Sequence, residues 1–143
     1  MDAEMEKKIA QAFIYKNKRE RFLFEMANKN RRDAIHRLEN TIDTSFSVMQ
    51  STKFPPPAQL IQTMTEYGVG KMCYVISEDY EEFDGVYIEL HLAVEKLRWN
   101  GFPSLIVGLP SGFSHLKLES YASRQPNSFL KPQKRFDNIP WEE

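Results

Sequence analysis

Apolar residues recur at helical spacing along several stretches of this chain and crowd into short continuous runs along others, so both helices and buried strands are expected. Over residues 2–16, Met5, Ile9, Ala12 and Phe13 share one helical face. Asp2 is placed to cap that helix, and Glu4 and Glu6 suit the positive end of its dipole. Lys16-Asn17-Lys18 either breaks the helix or continues it. Phe22, Leu23 and Met26 then form a second short stripe. Alternation of Phe22, Phe24 and Met26 would fit a strand, but the flanking residues are good helix formers. A third helix starts at Asn28 or Asn30, turns Ala34, Ile35 and Leu38 inward, and stops at Asn40. Residues 44–49, rich in β-branched and aromatic side chains, predict a short strand.

The run Lys53-Phe54-Pro55-Pro56-Pro57 is a stiff connector that opens a further helix, because proline is tolerated in the first turn. Leu60, Ile61, Met64 and Tyr67 make that helix amphipathic, and Gly68 and Gly70 end it. Residues 71–77 are a continuous apolar run, as expected of a strand covered on both faces. Residues 78–85 form an acidic loop. Residues 86–99 predict a helix on the spacing of Tyr87, Leu90, Val94 and Leu97, widened by Ile88 and Leu92 and stopped by Gly101 and Pro103. Residues 104–109 read as a second buried strand, Pro110-Ser111-Gly112 as a turn, and residues 113–120 as a strand completing a hairpin. From Arg124 onward the chain is polar and spaced by prolines, with isolated anchors at Phe129, Leu130, Phe136, Ile139 and Trp141.

The expected fold is α+β: N-terminal helices, then β-α-β-α-β-β in a mixed sheet of about four strands with helices packed on it. Residues 71–77 and 104–109 are expected as neighbours or near-neighbours, crossed by the 86–99 helix with Leu90, Val94 and Leu97 against the sheet. One domain is expected over residues 1–143, with a helical part at 1–40, a sheet core at 41–123 and an extended tail at 124–143.

Composition leaves this picture intact. At 143 residues, with 41% hydrophobic and 27% charged residues, the chain has enough apolar material for one core without a disulfide or metal. Cys73 is the one cysteine, and its apolar surroundings mark it as a small buried hydrophobe. A lone cysteine fits a reducing compartment, and no apolar run resembles a secretory signal or a membrane span, so a cytoplasmic location is expected.

Candidate motifs fail on spacing. Gly68-Val69-Gly70-Lys71 lacks the earlier glycine of a phosphate loop, where Thr65 stands, and the following Ser or Thr, where Met72 stands. Gly108-Leu109-Pro110-Ser111-Gly112 does not space its glycines as a hydrolase elbow does, so a Ser111–His115 pair competes poorly with a hairpin turn. Aligning Gly85 with the glycine of a calcium loop puts Tyr80 first and His91 last, neither of which fits; a looser cation site would draw on Asp79, Glu82 and Asp84. His36, His91, His115 and Cys73 have no zinc-ligand spacing. No catalytic residue, cofactor or metal is assigned.

Charge is the informative feature. Net charge is −1, yet residues 16–37 hold eight Lys or Arg against three acids, while residues 78–95 hold seven acids and no Lys or Arg. Asp79, Tyr80, Glu81, Glu82, Phe83 and Asp84 would suit a basic protein partner, with carboxylates steering encounter and aromatics giving contact area. In size and charge pattern alone, the chain resembles the small acidic immunity partners of toxic nucleases, which occlude a basic active site. A non-enzymatic protein-interaction domain is therefore the leading expectation. The alternative is a nucleic-acid-associated accessory protein using Lys18, Arg19, Arg21, Lys29, Arg31, Arg32 and Arg37 on the N-terminal helices. A third is an enzyme whose site spacing does not reveal. The bland explanation of the basic face is solvation, or pairing with the acidic loop of the same chain.

Overall fold

The computed structural model of the chain describes residues 1–43, 45, 47–51, 55–78, 81–97, 103–118, 127–132 and 136. Four helices come first: α1 (Ala3–Phe13), α2 (Arg19–Met26), α3 (Arg31–His36) and α4 (Leu38–Thr41), with a 3-10 turn at Lys16–Lys18 between the first two. Asp2 caps α1 as its position implies, its Oδ1 accepting from the N–H groups of Glu4 at 3.1 Å and Met5 at 3.0 Å. After β1 (Ser47–Ser51) come α5 (Pro57–Glu66), β2 (Val69–Ser77), β3 (Val86–Glu89), α6 (Leu90–Leu97), β4 (Ser104–Pro110), β5 (Ser114–Lys117) and β6 (Asn127–Leu130).

The fold is α+β, but the sheet differs from expectation. It has six strands rather than about four, in the order β1-β6-β5-β4-β2-β3, and every neighbouring pair is antiparallel. Two segments account for the difference. The first four residues of the predicted 86–99 helix are a strand: Val86, Tyr87 and Ile88 are β-branched or aromatic and pair with β2 through Val75↔Val86, Tyr74↔Tyr87 and Cys73↔Ile88. Residues 127–130, expected in an extended tail, insert as β6 between β1 and β5. Trp99 lies outside the described residues, as do residues 119 and 120 of the predicted third strand.

The continuous apolar run of β2 comes from double coverage, not from parallel pairing. Tyr74 and Ile76 face α1–α4 in a cluster with Ile9, Phe13, Phe22, Ile35 and Leu38. Cys73 and Val75 face α5 and α6 in a second cluster with Leu60, Met64, Val94 and Leu97. An antiparallel sheet buried on both sides thus carries the sequence signature usually associated with parallel sheets. The expected crossover exists in altered form. Helix α6 connects β3 to β4, which run in the same direction but are separated by β2, and Leu90, Val94 and Leu97 lie buried against the sheet. The β4–β5 hairpin is as expected, turning where Gly112 takes φ +83° and its N–H donates to Gly108 O at 2.8 Å.

Candidate functional site

Arg31, the first residue of α3, lies buried between the helical layer and the sheet. Its Nε donates to Asp84 Oδ2 at 2.7 Å, Nη1 to Glu6 Oε1 at 2.7 Å and to Met26 O at 3.0 Å, and Nη2 to Glu6 Oε2 at 2.6 Å and Asp84 Oδ1 at 3.0 Å. A guanidinium has five N–H donors, and all five are used. Burial opposes its charge, but Glu6 and then Asp84 outweigh burial and hold the proton more firmly than in water. The carboxylates are tied down in turn. Tyr74 OH donates to Glu6 Oε2 at 2.6 Å, and Ser77 N donates to Asp84 Oδ1 at 3.1 Å.

The network continues outward through Tyr74, whose hydroxyl accepts from Asp2 N at 3.1 Å. Tyr87 OH donates to Asp2 Oδ2 at 2.6 Å, and that bond, followed by the N–H of Met5, holds the Asp2 carboxyl below its usual range. One hydrogen-bonded chain therefore links α1, α3, β2, β3 and the loop between the two strands. Gly85 makes the fit possible. Its φ is +69°, and a Cβ there would press into Met1 and stand 3.2 Å from Arg31 Nη2. Clefts of about 430 and 340 Å³ flank Arg31, but its donors are already spent on Glu6, Asp84 and Met26, so neither cleft offers its charge to an anion.

The expected acidic face is only partly presented. Asp79 and Tyr80 lie outside the described residues. Glu81 opens a 3-10 turn, Glu82 is exposed, and Phe83 is half-buried. Asp84 points inward onto Arg31, which removes it from the contact face and from the loose cation site with Asp79 and Glu82. Glu78 lies 3.0 Å from His36 Nδ1. Among the described residues, no group of three or more His, Cys, Asp or Glu could hold a metal ion.

The basic set is likewise divided. Arg19 fastens the end of α1, donating to Ile14 O at 3.0 Å and to Gln11 O and Oε1 at 3.2 and 3.3 Å. Arg31 is buried, so it belongs to no nucleic-acid face. Lys18, Arg21 and Arg37 gather around one cleft, and Lys29 and Arg32 line another. Pairing of the basic segment with the acidic loop, the bland explanation of the charge pattern, is realised in the bond between Arg31 and Asp84.

Ser111 and His115 do not form a reactive pair. Ser111 Oγ accepts from Phe113 N at 3.3 Å within the turn, whereas His115 is 1% exposed and its ring packs 4.8 Å from that of Phe129. Burial, helped by the charge of Lys117, pushes the imidazole down to about 3. Cys73 is buried as expected, and burial pushes its thiol up to about 12, away from reactivity.

Sequence reasoning missed Glu6, Met72, Tyr74, Tyr87 and Glu89. Glu6 had a usable signal: it stands three residues before Ile9 and seven before Phe13, on the apolar stripe, where an acid requires a partner. Met72 and Tyr87 emerge only once β2 and β3 are paired. Their side chains lie on the helical-layer side of the sheet, at the margin beyond α1, with Met72 39% and Tyr87 46% exposed. Glu89 stands directly opposite Met72, and its carboxylate lies 3.3 Å from His91 Nδ1. Comparison with family models, with curated proteins and with solved structures finds no match for this chain. Among the described residues, no helix is long and apolar enough to cross a membrane.

Proposed function

We propose that the chain is a non-enzymatic protein-interaction domain whose contact face is the partly exposed margin of the sheet at β2 and β3, and that its partner presents a basic surface. The observation that carries this reading is the exposure of Met72 and Tyr87 as diagonal neighbours on one sheet face, with Glu89 opposite Met72 and Asp2 on the Tyr87 hydroxyl. Diagonal cross-strand neighbours lie about 7–8 Å apart, within reach of one partner side chain. Methionine and tyrosine supply contact area, and the carboxylates steer a cationic partner toward it. Exposed Glu4 and Glu82 extend the negative field nearby on α1 and on the loop leading into β3. This face replaces the 79–84 loop as the centre of contact, because Asp84 is committed to Arg31. Occlusion of a basic active site, as by an inhibitor, is the sharpest form of the reading.

The test is a native pull-down with mass spectrometry from source cells, comparing the wild type with Met72→Ala/Tyr87→Ala and with Glu89→Gln. The expected result is a partner with a basic surface that the wild type captures and the double variant loses. Glu89→Gln should slow association most at low salt. Equal capture by all three proteins would refute this face.

A further inference from the structure

A second site lies in the helical layer, apart from the sheet margin. Between α2 and the α3–α4 pair is a cleft of about 270 Å³ floored by Phe22 and Ala34, both buried. Lys18, Arg21 and Arg37 line it, and among the described residues one carboxylate, Glu25, stands in its wall. Glu25 is almost entirely buried and pairs with both arginines: Arg37 Nη2 hydrogen-bonds Oε1, and the more exposed Arg21 places Nε 3.5 Å from Oε2. Lys18 Nζ donates to Asn40 O at 2.6 Å, which keeps its ammonium at the mouth.

We propose that this cleft binds a small phosphate monoester, with the phosphate on Lys18, Arg21 and Arg37 and the organic group on Phe22. Among the described residues, three cations face one carboxylate, leaving two positive charges without a counter-charge in the lining, which matches a dianion. Glu25 engages one edge of each guanidinium; the remaining N–H donors of Arg21 and Arg37 have no partner among the described residues. Guanidinium forks suit phosphate oxygens, and the hydrogen bond from Arg37 to Glu25 fixes one of them in advance, which lowers the ordering cost of binding. The cleft is smaller than the usual range for drug-sized ligands, so the organic group is a single ring or a short chain. The shared chemistry is a terminal phosphate, supplied either by a free metabolite or by the 5′ end of a nucleic acid.

The test is titration of the full chain with phenyl phosphate, followed by amide chemical shifts. Inorganic phosphate, phenol and a 5′-phosphorylated tetranucleotide serve as separate arms. Phenyl phosphate should give saturable shifts at Phe22, Ala34 and Thr41 and bind more tightly than inorganic phosphate, while phenol alone should leave those amides unmoved. Arg21→Gln, at a side chain 74% exposed and therefore safe for folding, should weaken binding several-fold. Arg37→Gln should weaken it about tenfold, the equivalent of about 1.4 kcal/mol. Arg32→Gln, outside the cleft, should change nothing. Tighter binding of the tetranucleotide at the same amides would identify a nucleic-acid end as the source, and its failure beside phenyl phosphate would identify a free ester. Shifts centred on Lys29 and Arg32, or equal affinity in Arg21→Gln and wild type, would overturn the proposal.

Discussion

Substituting methionine for Arg31 keeps most of the aliphatic stem and deletes a guanidinium that makes five hydrogen bonds. What remains is two carboxylates whose side chains are 5% exposed for Glu6 and 10% for Asp84. Each keeps one donor, Tyr74 OH for Glu6 and Ser77 N for Asp84, but neither keeps a cation. Removing one partner of a buried ion pair typically costs about 3–5 kcal/mol, because the surviving charge is desolvated without compensation. Met26 O also loses its donor at this site. The expected loss is therefore about 4 kcal/mol, a large part of the roughly 5–15 kcal/mol available to a domain. For a chain of this size it would lower the melting temperature by roughly 10–15 °C.

Urea denaturation followed by circular dichroism measures this directly, and a triple variant separates charge from packing. Glu6→Gln/Arg31→Met/Asp84→Asn removes all three charges while keeping their approximate shapes. Replacing a whole buried ionic group by well-packed apolar residues is often close to neutral, whereas breaking it is not. The triple variant carries no buried charge and keeps acceptors for Tyr74 OH and Ser77 N, although its amide N–H groups need partners of their own, so it should recover part of the stability lost by Arg31→Met. Asp84→Asn alone should cost less than Arg31→Met, since Arg31 keeps Glu6. A loss below about 1 kcal/mol in Arg31→Met would show that the network carries little of the fold's stability, and a triple variant no more stable than the single would show that the loss does not come from unpaired charge.

Two further predictions concern the buried polar row on β5. Burial pushes Lys117 down to about 8 from 10.5 in the unfolded chain, so between those values the unfolded chain keeps a proton that the folded one has released. Stability therefore rises with pH across that window; the stability of wild type relative to Lys117→Met should rise by roughly 2–3 kcal/mol from pH 7 to about pH 10.5, and a constant difference would refute it. His115, pushed down to about 3 from 6.5, acts on the acid side: the unfolded chain gains a proton that the folded chain refuses, and stability is lost as pH falls through that window. His115→Leu should flatten the dependence of stability on pH by up to about 1.4 kcal/mol per unit between pH 4 and 6, and an unchanged slope would refute the assignment.

Local signals accounted for much of the fold. Met5, Ile9, Ala12 and Phe13 marked α1 correctly, and Asp2 marked its cap, because both depend on neighbours within a turn or two. Strands β2 and β4 were visible as apolar runs. Strand β3 was hidden because Tyr87, Leu90, Val94 and Leu97 fit a helical period across the junction between strand and helix. Strand β6 was hidden because four residues with apolar Phe129 and Leu130 carry too little periodicity to stand out from a polar stretch. Strand direction was not encoded locally at all. A doubly covered antiparallel sheet and a parallel sheet demand the same apolar run, and only the packing of α1–α4 and α5–α6 on opposite faces distinguishes the cause.

The charge pattern was legible as a segregation, but its meaning lay in tertiary structure. Arg31 and Asp84 are 53 residues apart, and no spacing rule connects them. Once they are paired, the basic and acidic segments cease to be two independent surfaces: part of each neutralises the other inside the fold. The buried pair also fixes the loop that enters β3, since Asp84 holds both Arg31 and the Ser77 N–H. Tyr87 is fixed from the other side by Asp2, itself the cap of α1. On the proposed reading, a contact side chain held this way loses less conformational freedom on binding than a mobile one, so the interior network would favour association without touching the partner. On this account, Asp84→Asn should weaken partner capture at the sheet margin although Asp84 is turned inward onto Arg31, mainly through faster dissociation. Glu82→Gln, at an exposed carboxylate, should act mainly on the association rate and its salt dependence. Opposite kinetic signatures from two acids two residues apart would separate the carboxylate that builds the face from the one that steers toward it; identical signatures would mean that the loop acts only as a patch of charge.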